Sequence, residues 1–128
     1  MKVVADSMIW VSYFLDPNLF RCRVLEEAFD QRVRFFASDY LIEEVVKAVI
    51  SKLEAGSRYG VRIRHRLKRQ TRLVKLPDQI PRHVPDDPGD DPIVETAIRA
   101  DADYLVTADK KVLKLKKIGN VKIITAAE

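Results

Sequence analysis

With 128 residues, the chain is long enough for one domain, residues 1–128, that buries roughly two-thirds of its unfolded surface. Apolar residues make up 47% and charged residues 33%, which is typical of a globular protein and excludes an intrinsically disordered chain. The single cysteine, Cys22, excludes an internal disulfide, and we expect it to pack on a helix. No apolar run is long enough to span a bilayer, so we expect a cytoplasmic protein without membrane association.

The N-terminal part of the chain alternates between short strands and helices. Residues 3–5 form a completely apolar run, which predicts a central strand that is buried on both faces and ends at Asp6. Residues 9–15 predict a short buried helix that ends before a proline, and the apolar spacing in residues 19–30 predicts a second helix. A second strand is expected at residues 34–37.

The middle of the chain predicts a long helix followed by a basic one. Ser38 or Asp39 is placed to cap a helix that keeps its apolar period to about Leu53. Gly60 predicts a break, after which residues 61–70 predict a helix rich in arginine.

The C-terminal part begins with a predicted strand at residues 73–76 and a proline-rich segment, residues 78–90, which is long enough to be a functional loop. Asp91-Pro92 is a favourable helix opening. The remaining predicted elements are a strand at residues 104–106, a brief helix at 111–115 and a last strand at 121–124. Strands separated by helices indicate a parallel sheet, whose ligands gather outside the carboxyl ends of the strands.

Four groups of carboxylates lie at or near the ends of these predicted elements. They are Asp6, Glu44, the cluster Asp86, Asp87, Asp90 and Asp91, and Asp109. So much negative charge in one pocket would raise pKa values until protons or cations relieve it, and oxygen ligands favour magnesium or manganese. An ion held there lowers the pKa of a bound water and stabilises charge on a departing oxygen, which is phosphodiesterase chemistry.

The net charge of +4 is modest but unevenly distributed. Eight basic residues and no acid fall between positions 58 and 75, namely Arg58, Arg62, Arg64, Arg66, Lys68, Arg69, Arg72 and Lys75. Such a segment is typical of a surface that binds a polyanion, although a solvated helix face gives the same pattern.

Four segments of the chain, in this order, resemble those of a PIN domain. They are residues 2–7 (KVVADS), residues 41–45 (LIEEV), residues 87–92 (DPGDDP) leading to Ala97, and residues 102–109 (ADYLVTAD). The resemblance covers nearly the whole chain, which is similar in length to the toxin subunits of bacterial and archaeal toxin–antitoxin pairs. It implies a three-layer α/β/α sandwich with a central, mainly parallel sheet of four to five strands, and a nuclease that cleaves RNA with Mg²⁺ or Mn²⁺.

The resemblance also implies which acids are catalytic and act as direct or water-mediated metal ligands: Asp6, Glu44, Asp90 and Asp109. Asp87 and Asp91 are additional candidate ligands, and the hydroxyls of Ser7 and Thr107 match supporting positions of the family. Glu44 is chosen over its neighbour Glu43 by the family match alone.

Two positions depart from the family pattern. Met8 stands where the family often has Asn, and Ala108 where Gly is frequent. The amide missing at position 8 removes a possible hydrogen bond to a metal ligand.

For the basic segment, the resemblance favours RNA over other polyanions, with Arg58, Arg62, Arg66 and Arg69 as the candidates for backbone contacts. It further implies a small antitoxin that covers or distorts the acidic groove, and a homodimer. Both partners rest on the resemblance alone.

Two other functions fit parts of the pattern. The first is a non-catalytic RNA-binding module that kept the fold and lost turnover, which the Met8 departure permits. The second is a receiver-like domain that accepts a phosphoryl group, which fits worse because receivers cluster an acidic pair near the first strand.

Both histidines and two aromatic residues of the predicted first helix are expected to have no catalytic or RNA-binding role. His65 and His83 have no partner at ligand spacing, so both are predicted at the surface. Trp10 and Tyr13 are predicted in the core or at a subunit interface rather than as platforms for stacked bases.

Overall fold

The computed structural model describes residues 1–15, 33–53, 57–85 and 87–126. Its strands are β1 (Lys2–Ala5), β2 (Arg34–Ala37), β3 (Arg72–Leu73), β4 (Tyr104–Val106), β5 (Lys117–Ile118) and β6 (Val121–Ile124). These six form a sheet in the order β3-β2-β1-β4-β6-β5. Neighbouring strands run parallel, apart from the antiparallel pair of β5 and β6.

Helices accompany this sheet in the described parts of the chain. They are α1 (Ser7–Leu15), α2 (Asp39–Leu53), α3 (Ser57–Gln70), α4 (Asp91–Arg99) and α5 (Lys110–Leu113), with a 3-10 turn at Pro88–Asp90. Helix α4 packs against β1, β2 and β4, while α2 packs against α1, α3 and α4. None of the described helices combines the length and the apolar composition that a membrane span requires.

The core forms where the central strands meet the helices. Val4 of β1 pairs in register with Leu105 of β4, and both side chains are completely buried. Trp10 is also completely buried and packs edge-to-face on Phe35, with 5.6 Å between ring centroids. Tyr13 is buried as well, so the prediction that these two aromatic residues of α1 are not exposed stacking platforms is confirmed.

The predicted α/β/α sandwich with a mainly parallel sheet is confirmed. The sheet has six strands in the described residues rather than four to five. Strand β5 was not predicted because it is only two residues long and forms a hairpin with β6. Strand β3 lies at Arg72–Leu73 and not at residues 73–76.

Gly60 does not break the chain, which corrects the prediction for this position. It lies inside α3, where a Cβ atom would approach Ile50 Cδ1 to 2.5 Å and Val46 Cγ1 to 3.2 Å. The glycine therefore permits the close contact of α3 with α2, since an alanine would require the end of the Ile50 side chain to shift.

Three predictions lie outside the described residues. They concern the helix at residues 19–30, the packing of Cys22 and the placement of Asp86.

Candidate active site

A cavity of about 340 Å³ lies at the carboxyl ends of β1 and β4. Its lining consists of Asp6, Ser7, Met8, Glu44, Ala48, Asp90, Ala108 and Asp109. The four acids that the sequence singled out therefore meet in one cavity, although they come from four separate segments of the chain. Parallel pairing of β1 with β4 explains part of this convergence, because it brings Asp6 and the segment that follows Val106 to the same edge of the sheet.

Thr107 links the two acids that follow these strands. Its hydroxyl donates to Asp6 Oδ2 at 2.6 Å and accepts from the backbone N–H of Asp109 at 3.0 Å. The side chain of Thr107 is completely buried, so this bridge is shielded from water. Asp109 also caps α5, because its Oδ1 accepts from the N–H of Lys111 at 2.9 Å. The hydroxyl predicted to support the acids thus fixes the position of one acid relative to the other.

Ser7 brings a third acid, from α2, to the same cavity. The Ser7 hydroxyl donates to Glu44 Oε1 and also lies 3.2 Å from Asp6 Oδ1. Because a hydroxyl carries one proton, it cannot donate to both carboxylates at once. The two acids therefore share one donor.

Glu43 and Glu44 have separate environments. Glu44 lines the cavity, whereas Glu43 makes a two-point ion pair with Arg64, with N–O distances of 2.7 and 2.8 Å. The guanidinium of Arg64 holds the pKa of Glu43 below its ordinary value. Helical geometry turns adjacent side chains to different faces, so only one of the two acids can point into the cavity.

Asp90 is the acid with the least compensation. Its Oδ2 is buried and has no hydrogen-bond partner among the described residues. Burial, followed by the hydrogen-bonding contact with Asp109 and the charges of Asp109, Asp87 and Asp6, raises the pKa of Asp90 to about 8. The surroundings of Asp90 thus disfavour its charged form, and a bound cation would relieve this.

The donor set fits a divalent cation of the hard type. Asp87, Asp90 and Asp109 each offer a carboxylate oxygen, and these three oxygens lie within 4.8 Å of one another. Oxygen ligands at this spacing suit magnesium or manganese better than zinc or copper. The partnerless Asp90 oxygen is the observation that supports the fit, because a bound cation would satisfy it.

Asp87 joins this group from the turn that precedes α4. Its Oδ1 accepts from the N–H of Gly89 at 3.0 Å, and its Oδ2 lies 4.0 Å from Lys111 Nζ. Its second oxygen is thus only weakly compensated by a partly exposed lysine.

Asp91 has a different environment from the other candidate ligands. Its buried carboxylate accepts from the backbone N–H groups of His83 and Val84, at 2.9 and 2.7 Å, and pairs with Arg82 at 2.8 Å. It does not belong to the lining of the cavity. These contacts place Asp91 as the anchor of the proline-rich segment, which is joined to the start of α4 through it.

His83 is not at the surface, which corrects the prediction for that residue. Its side chain is mostly buried, and its Nε2 lies 2.8 Å from Glu95 Oε1. Glu95 is buried too, and its other oxygen accepts from Arg99 Nε at 2.8 Å. The sequence did not indicate this pairing because the two residues lie twelve positions apart, His83 in the proline-rich segment and Glu95 in α4. His65, in contrast, is exposed as expected.

The four arginines proposed for RNA contacts lie along one side of α3, and all of them are exposed: Arg58, Arg62, Arg66 and Arg69. The guanidinium carbon of Arg66 lies 5.5 Å from the ring centroid of Tyr13 and 5.6 Å from that of Phe14. Arg66 is therefore partly held by aromatic rings of α1, whereas Arg64 is paired with Glu43.

One residue beside the cavity was missed by the sequence reasoning. Tyr40, in the first turn of α2, is exposed, and its hydroxyl donates to the carbonyl oxygen of Gly89 at 3.3 Å. Its position one helical turn before Glu44 was visible in the sequence. Its exposure was not, because that depends on how the turn at residues 88–90 meets α2.

Comparison with known proteins places this chain in a family. A model of the PIN domain matches residues 2–111. No curated protein is similar enough in sequence to count as a match. The 2.2 Å structure of VapBC-1 from nontypeable Haemophilus influenzae is similar in fold, with a TM-score of 0.71 and 15% sequence identity, and the alignment covers 100% of both chains. Since the family model covers most of the sequence, the chain belongs to the PIN domain family.

Proposed function

We propose that this chain is a metal-dependent endoribonuclease that hydrolyses RNA phosphodiester bonds, and that it serves as the toxin of a toxin–antitoxin pair. The buried oxygen of Asp90, which has no hydrogen-bond partner among the residues that the structure describes, carries the proposal, because three further acids line the same cavity. Acids with a structural role are normally compensated by donors or counter-charges. A buried carboxylate oxygen that lacks such compensation in the described part of the chain, inside a group of acids, favours a function that depends on a cation.

The acids are proposed to act together as one centre. Asp6, Glu44, Asp90 and Asp109 would hold Mg²⁺ or Mn²⁺, directly or through water, with Asp87 as a further ligand. When bound, such an ion supplies a Lewis acid for the phosphate and lowers the pKa of a water molecule. One of the acids would orient the attacking water.

Ser7 and Thr107 are proposed as positioning residues within this centre. Thr107 keeps Asp6 and Asp109 at a fixed spacing, and Ser7 ties Glu44 to Asp6. Asp91 is no longer favoured as a ligand in this proposal, since its carboxylate is occupied by Arg82 and by two backbone N–H groups.

The exposed arginines of α3 are proposed to hold the RNA backbone. Arg58, Arg62, Arg66 and Arg69 supply positive charge that the acidic cavity lacks, and phosphate contacts of this kind are independent of sequence. Helix α3 packs on α2, which carries Glu44. The proposed binding surface is therefore built against the helix that supplies one of the proposed catalytic acids.

The proposed partners are a small antitoxin, which would cover the acidic cavity, and a second copy of the chain in a homodimer. The likeness to VapBC-1 over the full length of both chains supports the antitoxin. The proposed location is the cytoplasm, where an RNA substrate is available.

The test is cleavage of single-stranded RNA by the purified protein. We expect product with Mn²⁺ or Mg²⁺, and none after addition of EDTA or in the variant Asp6→Asn, because Asp6 is a proposed ligand. Asp101→Asn is the matched control: Asp101 is exposed and has a φ of 52°, a conformation that Asn tolerates.

Two results would contradict the proposal. Cleavage that survives both EDTA and Asp6→Asn would show that another nuclease, or a metal-independent reaction, is responsible. Binding of RNA without any product over long incubation would favour the non-catalytic RNA-binding module instead.

A further inference from the structure

Tyr40 presents an aromatic ring to solvent beside the acidic cavity. Its relative exposure is 41%, and it is the only aromatic residue among the large apolar side chains that are exposed in the described parts of the chain. Trp10, Tyr13 and Phe35 are buried in the core, where they pack edge-to-face with one another or with neighbouring rings. The core therefore does not account for the exposed ring of Tyr40.

The contacts of Tyr40 place its ring at the rim of the cavity. The hydroxyl donates to the carbonyl oxygen of Gly89, which lies between Asp87 and Asp90 in the chain. The other end of the side chain is attached to α2, one turn before Glu44. The ring thus spans from the helix that carries Glu44 to the turn that carries Asp87 and Asp90.

An aromatic ring at this rim suits one part of a nucleotide. The phosphate is the charged part that would contact a cation held by the acids, whereas the base is uncharged and presents an apolar π-face. Every nucleobase has a π-face that stacks on an aromatic side chain without regard to sequence. A base in a duplex is already stacked and paired, so only an unpaired base is free to use such a ring.

We infer that Tyr40 is a substrate-contact residue, on whose exposed ring an unpaired base of single-stranded RNA stacks while the adjoining phosphate occupies the acidic cavity. This inference rests on the proposed function and adds to it a residue that contacts the base. The apolar side chain of Met8, which lines the cavity and is 46% exposed, is a second uncharged surface in the same area.

The ring and the hydroxyl of Tyr40 can be separated by substitution. Tyr40→Phe keeps the ring and removes the hydrogen bond to Gly89, whereas Tyr40→Ala removes both. Tyr40→Trp enlarges the stacking surface. Leu53→Ala is the matched control, because Leu53 is 47% exposed on the same helix but lies at its far end, about 20 Å from Tyr40 by helical rise.

The experiment measures steady-state cleavage of a single-stranded RNA and, in Ca²⁺, the fluorescence of a 2-aminopurine placed beside the cleaved bond. We expect Tyr40→Ala to lower kcat/KM by about five- to 150-fold, mainly through KM, and to abolish the quenching of 2-aminopurine. Tyr40→Phe and Tyr40→Trp should retain both signals. Leu53→Ala should match the wild type, and a duplex of the same sequence should be a poor substrate for every variant.

Other outcomes separate this inference from the proposed function. If the wild type cleaves RNA and Tyr40→Ala cleaves it equally well, the stacking role is overturned while the nuclease stands. If Tyr40→Phe is impaired as much as Tyr40→Ala and both bind Mn²⁺ more weakly, the hydroxyl merely positions the turn at residues 88–90, which also overturns it. If the wild type neither cuts RNA nor changes the anisotropy of a labelled strand, the proposed function itself has failed, and the inference with it.

Discussion

Two neighbouring aspartates, joined by one peptide bond, have opposite environments. Asp91 accepts two backbone N–H groups and pairs with Arg82, and these donors hold its pKa below the ordinary value in spite of burial. Asp90 has a buried oxygen without a partner in the described chain, and burial together with nearby acids raises its pKa to about 8. The first acid is compensated by donors of the protein itself, whereas the second is the one we propose as a ligand of a cation.

The same contrast extends along α4 and into the cavity. Glu95, one turn after Asp91, is compensated by His83 and Arg99. Asp87 and Asp109 belong to the same group as Asp90. Each of the three offers a carboxylate oxygen that lies within 4.8 Å of the other two. An arginine partner at 2.8 Å therefore distinguishes Asp91 and Glu95 from the acids proposed to do chemistry, whose donors are hydroxyl or backbone groups and, at Asp87, a lysine at 4.0 Å. Burial does not distinguish them, because buried carboxylates occur in both groups.

The largest expected effect comes from neutralising the uncompensated acid. We expect Asp90→Asn to lower RNA cleavage by more than about 100-fold, since replacing residues that only orient a ligand already costs 10- to 100-fold. In EDTA at pH 8 the same variant should unfold at a higher temperature than the wild type, because the repulsion among the acids is relieved. Cleavage assays and thermal denaturation measure the two effects. A variant that cuts RNA normally would show that Asp90 is not a ligand.

The second expected effect is a dependence of metal affinity on pH. Because a cation must displace the proton of Asp90, the apparent affinity for Mn²⁺ should rise about tenfold per pH unit below pH 8 and level off above it. Titration calorimetry between pH 5.5 and 9 at intervals of about half a unit would measure this slope. Asp91→Asn should retain the slope, whereas Asp90→Asn should abolish it. If the Mn²⁺ affinity of the wild type does not change with pH, metal binding does not displace a proton from Asp90.

The stability of the metal-free protein should depend on pH, and Asp90 should contribute with the opposite sign to Asp91 and Glu95. The pKa of Asp90 is higher in the folded than in the unfolded chain, so its contribution to stability falls as the pH rises from about 4 to about 8. The pKa of Asp91 and that of Glu95 are lowered, so their contributions are present above about pH 4.5 and are lost as the pH falls further. Urea denaturation in EDTA across this range tests both signs, with Asp90→Asn as the variant that should remove only the first.

A smaller effect is expected from the compensated acid. Asp91→Asn leaves Arg82 without its counter-charge and weakens the two N–H contacts, which should cost about 1–3 kcal/mol of unfolding free energy. Because Asp91 does not line the cavity, the Mn²⁺ affinity measured well below the unfolding temperature should change little. If Asp91→Asn instead abolishes metal binding without loss of stability, then Asp91 is a metal ligand and does not have the structural role given to it here.

The smallest effect concerns the basic residues, where the same contrast applies. Arg64 is compensated by Glu43, whereas Arg62 and Arg66 are exposed. The double variant Arg62→Ala with Arg66→Ala should weaken RNA binding and reduce the slope of log affinity against log salt by about one unit or somewhat less for each phosphate that is no longer neutralised. Removal of the neutral pair, Glu43→Ala with Arg64→Ala, is the control and should leave the slope unchanged. If the wild type and both double variants show the same salt dependence of RNA binding, the exposed arginines of α3 form a solvated surface that does not contact RNA.

Sequence reasoning predicted those features that depend on local pattern. Strand β2, the start of α4 at Asp91-Pro92 and the long helix α2 follow from apolar period and from caps, such as the Ser38 hydroxyl that accepts from the N–H of Leu41 at 3.3 Å. The meeting of Asp6 with Asp109 follows from the rule that carboxyl ends of parallel strands share an edge. Glu44 needed the family resemblance, because nothing local distinguishes it from Glu43.

The features that escaped prediction depend on contacts between distant segments. The place of Gly60 within a helix is explained by Ile50 and Val46, which belong to another helix. The burial of His83 depends on Glu95, and the anchoring role of Asp91 depends on backbone groups of a segment without regular period. A sequence shows that acids are close together in the chain, but not which of them will find donors.

The tight contact at Gly60 has a mechanical consequence. Without a side chain at that position, two helices touch, and the arginine row of one is fixed at a constant offset from Glu44 on the other. An RNA strand laid along the arginines would reach the acids after a set number of nucleotides. If the arginines bind RNA as proposed, the distance from the bound phosphates to the acids would depend on how closely the two helices approach at Gly60.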